Sequence, residues 1–175
     1  MDRQADSSVV DVDTLCALVV QRDHASLRRA LPRIAGWLAE LERSGPSPQL
    51  TALCSAFGDL ADQIRANLAK EENLLFPAIE ALAVAERRQV RPAPLPFVTL
   101  LHPIRVMETD HARIEEAIER LRGQMRAAAE PCHRSSSWQQ CVVELAAFEA
   151  ELREHHFTEN EVLFPRALEL ERRVL

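Results

Sequence analysis

The sequence predicts an all-α protein, an antiparallel four-helix bundle with an internal two-helix duplication. The composition is rich in Ala, Leu, Glu and Arg, with four Gly and no Tyr, which favours helix almost throughout. Apolar residues recur at steps of three and four in four long stretches. Clusters of Pro, Gly and Ser separate those stretches into consecutive rods, and short connections make neighbouring rods antiparallel. At 175 residues the chain suits one domain with a full core, expected over residues 13–175, after a flexible N-terminus at 1–12.

The first rod, 13–43, starts at a plausible Asp13 cap and carries Leu15, Leu18, Val19, Leu27, Leu31, Ile34, Leu38 and Leu41. Pro32 lacks the N–H of a helix interior and is expected to kink or restart this rod near His24. Ser44-Gly45-Pro46-Ser47-Pro48 is a loop. The second rod, 49–76, carries Leu53, Phe57, Leu60, Ile64, Leu68 and Leu75. A longer loop, Arg91-Pro92-Ala93-Pro94-Leu95-Pro96, leads to a third rod over 103–129 with Pro103 in its first turn, where the missing N–H costs little. It continues through Ile104, Met107, His111, Ile114, Ile118 and Leu121. A third loop, Pro131 to Ser137, precedes the last rod, 137–164, with Val142, Leu145, Phe148, Leu152, His155, Glu159 and Val162. Pro77 and Pro165 are expected to end or bend their rods at matching points.

Two segments are copies of each other. Residues 71–77 read Glu-Glu-Asn-Leu-Leu-Phe-Pro and residues 159–165 read Glu-Asn-Glu-Val-Leu-Phe-Pro. An Asp-His-Ala triplet lies upstream of each, containing His24 and His111, at nearly the same distance from Glu71 and Glu159. One position breaks the symmetry: four residues before Glu159 is His155, and four before Glu71 is Asn67. Residues four apart share a helix face, so His155 and Glu159 point together into the bundle, as His24, Glu71 and His111 do from the other rods. Singly, a His or Glu on an apolar face is more often a core or surface residue than a ligand. Their recurrence at corresponding points favours a metal site. Imidazoles and carboxylates inside a four-helix bundle can hold two iron or manganese ions, since a carboxylate bridges two cations and neutral imidazoles add no charge.

Other residues rank lower. Glu72 and Glu161 are expected to face solvent, and His156, about 100° around the helix from His155, is expected at the surface or behind the ligands. His102 precedes a helix cap and His133 lies in a loop. Trp37 and Trp138 are packing anchors, and the arginine pairs are solvated faces. Cys16, Cys54, Cys132 and Cys141 form no Cys-x-x-Cys pair and are expected as small apolar residues. A formal charge of −6 disfavours a nucleic-acid groove, and no dense basic cluster suggests a lipid surface. No apolar run long enough for a membrane span, and no leader pattern, points away from a cytoplasmic location. Too few glycines are present for a phosphate-cradling loop, and no nucleophile elbow occurs.

From about residue 12 onward the chain resembles the hemerythrin-like (HHE) di-iron domain, and within it the repair-of-iron-centres group. The segments carrying the resemblance are Arg22-Asp23-His24 with Leu31-Pro32, Lys70-Glu71-Glu72 leading to Leu75-Phe76-Pro77, Pro103-Ile104 with Val106-Met107-Glu108 and His111, and Glu159-Asn160 with Leu163 to Leu168; the surroundings of Cys132 and Trp138 also match. The resemblance implies a non-haem di-iron centre with ligands His24, His111 and His155 and bridges from Glu71 and Glu159. It implies a role in rebuilding iron–sulfur clusters damaged by nitric oxide or peroxide. Two departures stand out. The fourth expected histidine is Asn67, a weak iron ligand, so one metal position should be looser. The small Cys-bearing N-terminal domain of full-length members is not in this sequence.

The expected function is a cytoplasmic di-iron protein of the nitrosative or oxidative stress response, supplying iron or handling NO, with an iron–sulfur client protein. A carrier, scavenger or sensor of O2 or NO is the second reading. A helical module that has lost its metal and only contacts a partner is the third. A monomer or homodimer fits each.

Overall fold

The computed structural model describes residues 10–132 and 135–175. Expectations placed on residues 1–9, on His133 and on the side chain of Cys132 lie outside the described residues. Four helical rods follow one another. The first, α1, joins α-helix Val12–Leu18, a π-helical turn Val19–His24 and α-helix Ala25–Ser44. The second, α2, joins Pro48–Lys70, a π turn Glu71–Leu75 and Phe76–Arg88. The third, α3, is Leu101–Cys132, unbroken. The fourth, α4, joins Ser136–Phe157, a π turn Thr158–Leu163 and Phe164–Val174.

Local chemistry sets the rod ends. The Ser47 hydroxyl accepts from Leu50 N–H at 3.2 Å and Pro48 follows it, so α2 starts with a capped donor and a preset φ. Ser135 caps α4 in the same way, accepting from Trp138 N–H at 3.1 Å. α2 closes on Gln89, whose φ of 52° is left-handed. Gln89 and Val90 donate back to the Glu86 and Ala85 carbonyls, both at 3.1 Å. The start of α3 is capped from across the fold. Buried Glu171 near the end of α4 accepts from Leu100 N–H at 2.7 Å and from the Thr99 hydroxyl at 2.8 Å. A carboxylate here also suits the positive end of the α3 dipole.

The expected helix ends at Pro77 and Pro165 are not found. α2 runs on to Arg88 and α4 to Val174. The reason is the π turn just before each proline, which makes Phe76-Pro77 and Phe164-Pro165 the opening residues of a fresh α segment. There the missing N–H is in the first turn, where none is required. The two prolines do occupy equivalent places in the duplication, as the sequence implied. Pro32 lies inside Ala25–Ser44, and the change of helical pitch comes upstream of it, ending at His24.

α1 packs on α2 and α4, and α3 on α2 and α4, closing the bundle. The interior is divided in three along its axis. One apolar cluster contains Leu27, Leu31, Ile34, Leu53, Phe57, Ile64, Leu68, Ile114, Leu121, Leu145, Phe148 and Leu152. A second, at the other end, contains Cys16, Val19, Leu75, Phe76, Ile79, Leu100, Ile104, Met107, Leu163 and Phe164. Each large apolar side chain fully buried this way contributes about 1.5–3 kcal/mol. On every rod the predicted ligand lies in the gap between the clusters. Trp138 is buried as an anchor and Trp37 is half-buried against the larger cluster. Cys16, Cys54 and Cys141 carry free thiols, and burial pushes Cys16 and Cys141 up to about 12. Among the described residues, no helix is long and apolar enough to cross a membrane.

Candidate metal centre

The structure brings all five predicted residues together. His24, Glu71, His111, His155 and Glu159 are at most 1% exposed and meet on the bundle axis. Three of the four rods widen into a π turn at this level, holding His24, Glu71 and Glu159 respectively. Such turns, with bonds reaching one residue further than in an α-helix, concentrate at functional sites.

The two carboxylates lie between two imidazoles. Glu71 turns Oε2 to His24 Nε2 at 3.3 Å and Oε1 to His111 Nε2 at 3.4 Å. Glu159 turns Oε1 to His24 Nε2 at 3.9 Å and Oε2 to His111 Nε2 at 3.3 Å. His155 belongs to the His24 half. Its ring meets His24 edge-on at 5.1 Å between centroids, against 6.3 Å to His111, although its Nε2 also lies 3.5 Å from Glu159 Oε2, the oxygen that faces His111. One donor atom each from His24, Glu71, His155 and Glu159 lie within 4.8 Å of one another. Donors sharing one first-row ion are separated by no more than about 4.4 Å, twice a metal–donor bond, so small side-chain movements close this set on a cation.

Asn67 is on the other half. Buried at 1% exposure, it donates its amide to Glu71 Oε1, the oxygen that faces His111, through a short hydrogen bond. The two halves are therefore unequal: two imidazoles on one side, one imidazole and an amide on the other.

Hydrogen bonds behind the ligands repeat the duplication. His24 Nδ1 lies 2.7 Å from Glu72 Oε1, and Arg28 grips the same carboxylate through two nitrogens at 2.7 and 3.0 Å. At the matching place His111 Nδ1 lies 3.0 Å from Asn160 Oδ1. Glu72 thus departs from the expected solvent-facing position: the His24 ring spans the gap between two adjacent carboxylates, one on each nitrogen. Being on the far side of His24, Glu72 does not replace the histidine missing at 67. Glu161 is exposed, as expected. His156 is buried at 3% exposure and stacks on His111 at 4.0 Å with rings 13° apart, so it lies behind a ligand and not at the surface. His102 is exposed in the first turn of α3. Sequence reasoning missed the orienting role of Asn160, although the residue lies inside the repeated motif.

Burial opposes charge on these groups, and their mutual contacts outweigh it. For His24, the facing carboxylates of Glu159, Glu71 and Glu72 overcome burial and raise its pKa to about 10. For His111, Glu159 and Glu71 do the same, again to about 10. Burial would raise the Glu71 carboxyl, yet the facing imidazoles of His111 and His24 hold it at about 2. His156 goes the other way: burial, then repulsion from His111 and His155, pushes it down to about 2. Without metal, protons on His24 and His111 offset the buried negative charge of Glu71.

The donor set fits a cation on structural grounds. His24 Nε2, Asn67 Oδ1, Glu71 Oε2, both nitrogens of His155 and both oxygens of Glu159 are buried without a hydrogen-bond partner among the described residues. Each such orphan costs about 1–3 kcal/mol. Their concentration at one level of the bundle suits a metal layer far better than an inert core.

The sequence is similar to that of known proteins. Residues 99–173, covering α3 and α4, match the Hemerythrin HHE cation binding domain. The iron-sulfur cluster repair protein YtfE of Edwardsiella ictaluri is 27% identical over 169 residues, covering 95% of this chain and 71% of its own length. The protein of the same name from Yersinia pseudotuberculosis is 25% identical over 156 residues, with 88% and 65% covered. That of Musicola paradisiaca is 28% identical over 152 residues, with 86% and 63% covered. The chain therefore spans about two thirds of the length of these relatives. The second half of this four-rod bundle thus matches the Hemerythrin HHE cation binding domain, and most of the chain is similar, at 25–28% identity, to iron-sulfur cluster repair proteins.

Proposed function

We propose that the chain holds two iron ions and supplies iron to damaged iron–sulfur clusters in the cytoplasmic response to nitrosative or oxidative stress. The observation carrying this reading is the placement of Glu71 and Glu159, each of which turns one oxygen to His24 and the other to His111. One oxygen per cation is the arrangement by which a carboxylate bridges a metal pair. His24 and His155 would complete one position, and His111, with Asn67 beside it, the other. The names of the relatives support the repair role. Iron bound there is the cargo, and the protein's part is to hold it in a dry layer and release it to a client.

The test is metal analysis of protein purified without chelator, followed by a repair assay. Two Fe per chain are expected, and the loaded form should restore an NO-damaged iron–sulfur enzyme faster than the metal-free form. No metal, or equal restoration by both forms, overturns the reading. A second reading, binding of NO or O2 without iron transfer, is favoured by one feature: the position beside Asn67 is short of an imidazole donor, so a metal held there would keep a coordination place for a small ligand. It predicts a ligand-dependent visible spectrum in the reduced, loaded protein. A metal-free partner-binding module is disfavoured, because it leaves the orphaned polar atoms of the layer uncompensated.

A further inference from the structure

A cleft of about 720 Å³ opens on the surface between α3 and α4, and its floor is His156. Four carboxylates line it, from Glu115, Glu116, Glu119 and Glu149. Most already have cationic partners: Arg122 binds Glu119 at 2.5 Å and Glu149 at 2.6 Å, and Arg120 approaches Glu116 at 3.8 Å. Glu115 differs. Among the described residues it has no arginine or lysine partner, and its Oε1 lies 3.8 Å from the Nδ1 of His156. The His156 side chain is 4% exposed, and its Nδ1 is buried without a hydrogen-bond partner.

A separation of 3.8 Å is too long for a hydrogen bond, whose N···O distance is about 2.7–3.2 Å. It suits two donors on one first-row cation, since two bonds of about 2.1 Å span up to about 4.2 Å. The ring cannot easily turn its nitrogen elsewhere, because it is stacked on His111. A rigid buried donor thus faces a carboxylate on an exposed, movable side chain. Both residues line the cleft, so the pair adjoins it.

We propose that His156 Nδ1 and Glu115 form a separate, surface-accessible site for a divalent first-row cation, one imidazole away from the buried layer. The site exists whether or not the buried layer carries iron. If it does, His156 and His111 form a stacked pair with the cleft on one side and the layer on the other, and the cleft site is the place where ions wait before entering or after leaving. That last role rests on the function proposed above.

The test uses the full chain as purified and its Glu115→Gln variant, titrated with Mn(II), with free Mn(II) read by electron paramagnetic resonance. The native chain should bind one Mn(II) more than Glu115→Gln, or bind it at least about tenfold more tightly. His156→Phe keeps an aromatic ring against His111 and should lose the same binding. Identical Mn(II) curves for the native chain and Glu115→Gln overturn the proposal. Because the readout is a difference between two chains with the same buried layer, it is independent of iron content, which tests the earlier reading separately. Glu115 is 65% exposed, so its amide variant tests the cation and not the fold.

Discussion

Glu72 accepts from His24 as Asn160 faces His111, at 2.7 and 3.0 Å from the respective Nδ1 atoms. The same ring nitrogen is thus held by an anion in one repeat and by a neutral amide in the other. An imidazole backed by a carboxylate is the more basic and better-oriented metal ligand. Glu72→Ala should therefore weaken Fe(II) binding in the His24 half by about 10–100-fold, the range for lost outer partners. Arg28→Ala, which only frees Glu72 from its grip, should cost less. Fe(II) titration of the metal-free protein checks both, and equal affinities for native and Glu72→Ala would refute the role given to Glu72.

The inner ligands are unequal in the same sense. The His24 half has His155, and the His111 half has Asn67, whose amide oxygen is a poor donor to iron. Titration with Fe(II) should give one tight and one weak site, and Asn67→His should tighten only the weak one. Two equally tight sites, unaltered by Asn67→His, would mean that another group has taken the place of the missing imidazole.

His155 and His156 are adjacent in sequence and differ in what they face. His155→Ala removes a donor from the His24 half and should lower the iron content on purification well below that of His156→Ala, measured after dialysis against metal-free buffer. Equal retention in the two variants would contradict the geometry.

The histidines predict a peaked pH dependence for the stability of the metal-free protein. His24 and His111 are raised from 6.5 to about 10 on folding, so their stabilisation is complete below pH 6.5 and is lost as pH rises toward 10. His156 is lowered to about 2, so its contribution is complete above pH 6.5 and is lost as pH falls toward 2. From these groups the stability maximum lies near pH 6.5, with a two-proton slope on the alkaline side and a one-proton slope on the acid side. Glu71, lowered to about 2, adds a further loss as pH falls from 4.5 toward 2. Urea unfolding at a series of pH values would show it, and a profile flat from pH 7 to 10 would sink the assignment. Bound metal displaces the protons on His24 and His111 and should flatten the alkaline limb.

The four rods, their order and the five converging side chains were legible because each rested on periodicity or on the repeated motif. The π turns were less visible. In α2 the buried positions Ile64, Leu68, Glu71, Leu75 and Ile79 keep steps of three and four through the wide turn, so periodicity hides it. In α1 the trace is present: buried Val19 and His24 are five apart, one π turn, where an α-helix would place the next inward residue three or four on. Leu18, one of the apolar residues of this stretch, is 47% exposed, because Val12, Cys16 and Val19 take the inward positions at ordinary helical steps. Of the two readings of Pro77 and Pro165, an end or a bend of the rod, the end is not found, because a stop and a fresh first turn carry the same residue. The contact of Glu72 with His24 depends on how two rods face each other, which spacing within one rod does not encode.

The ligand layer lies between two apolar clusters that do not depend on it, and every rod passes through both. Removing a cation from such a layer leaves each end of the bundle clamped by its own side chains. On the proposed reading the ion is a guest and not a keystone, unlike the metal of a small domain that unfolds when stripped. A container that keeps its shape when emptied can be filled again, which is what a repeated delivery cycle requires.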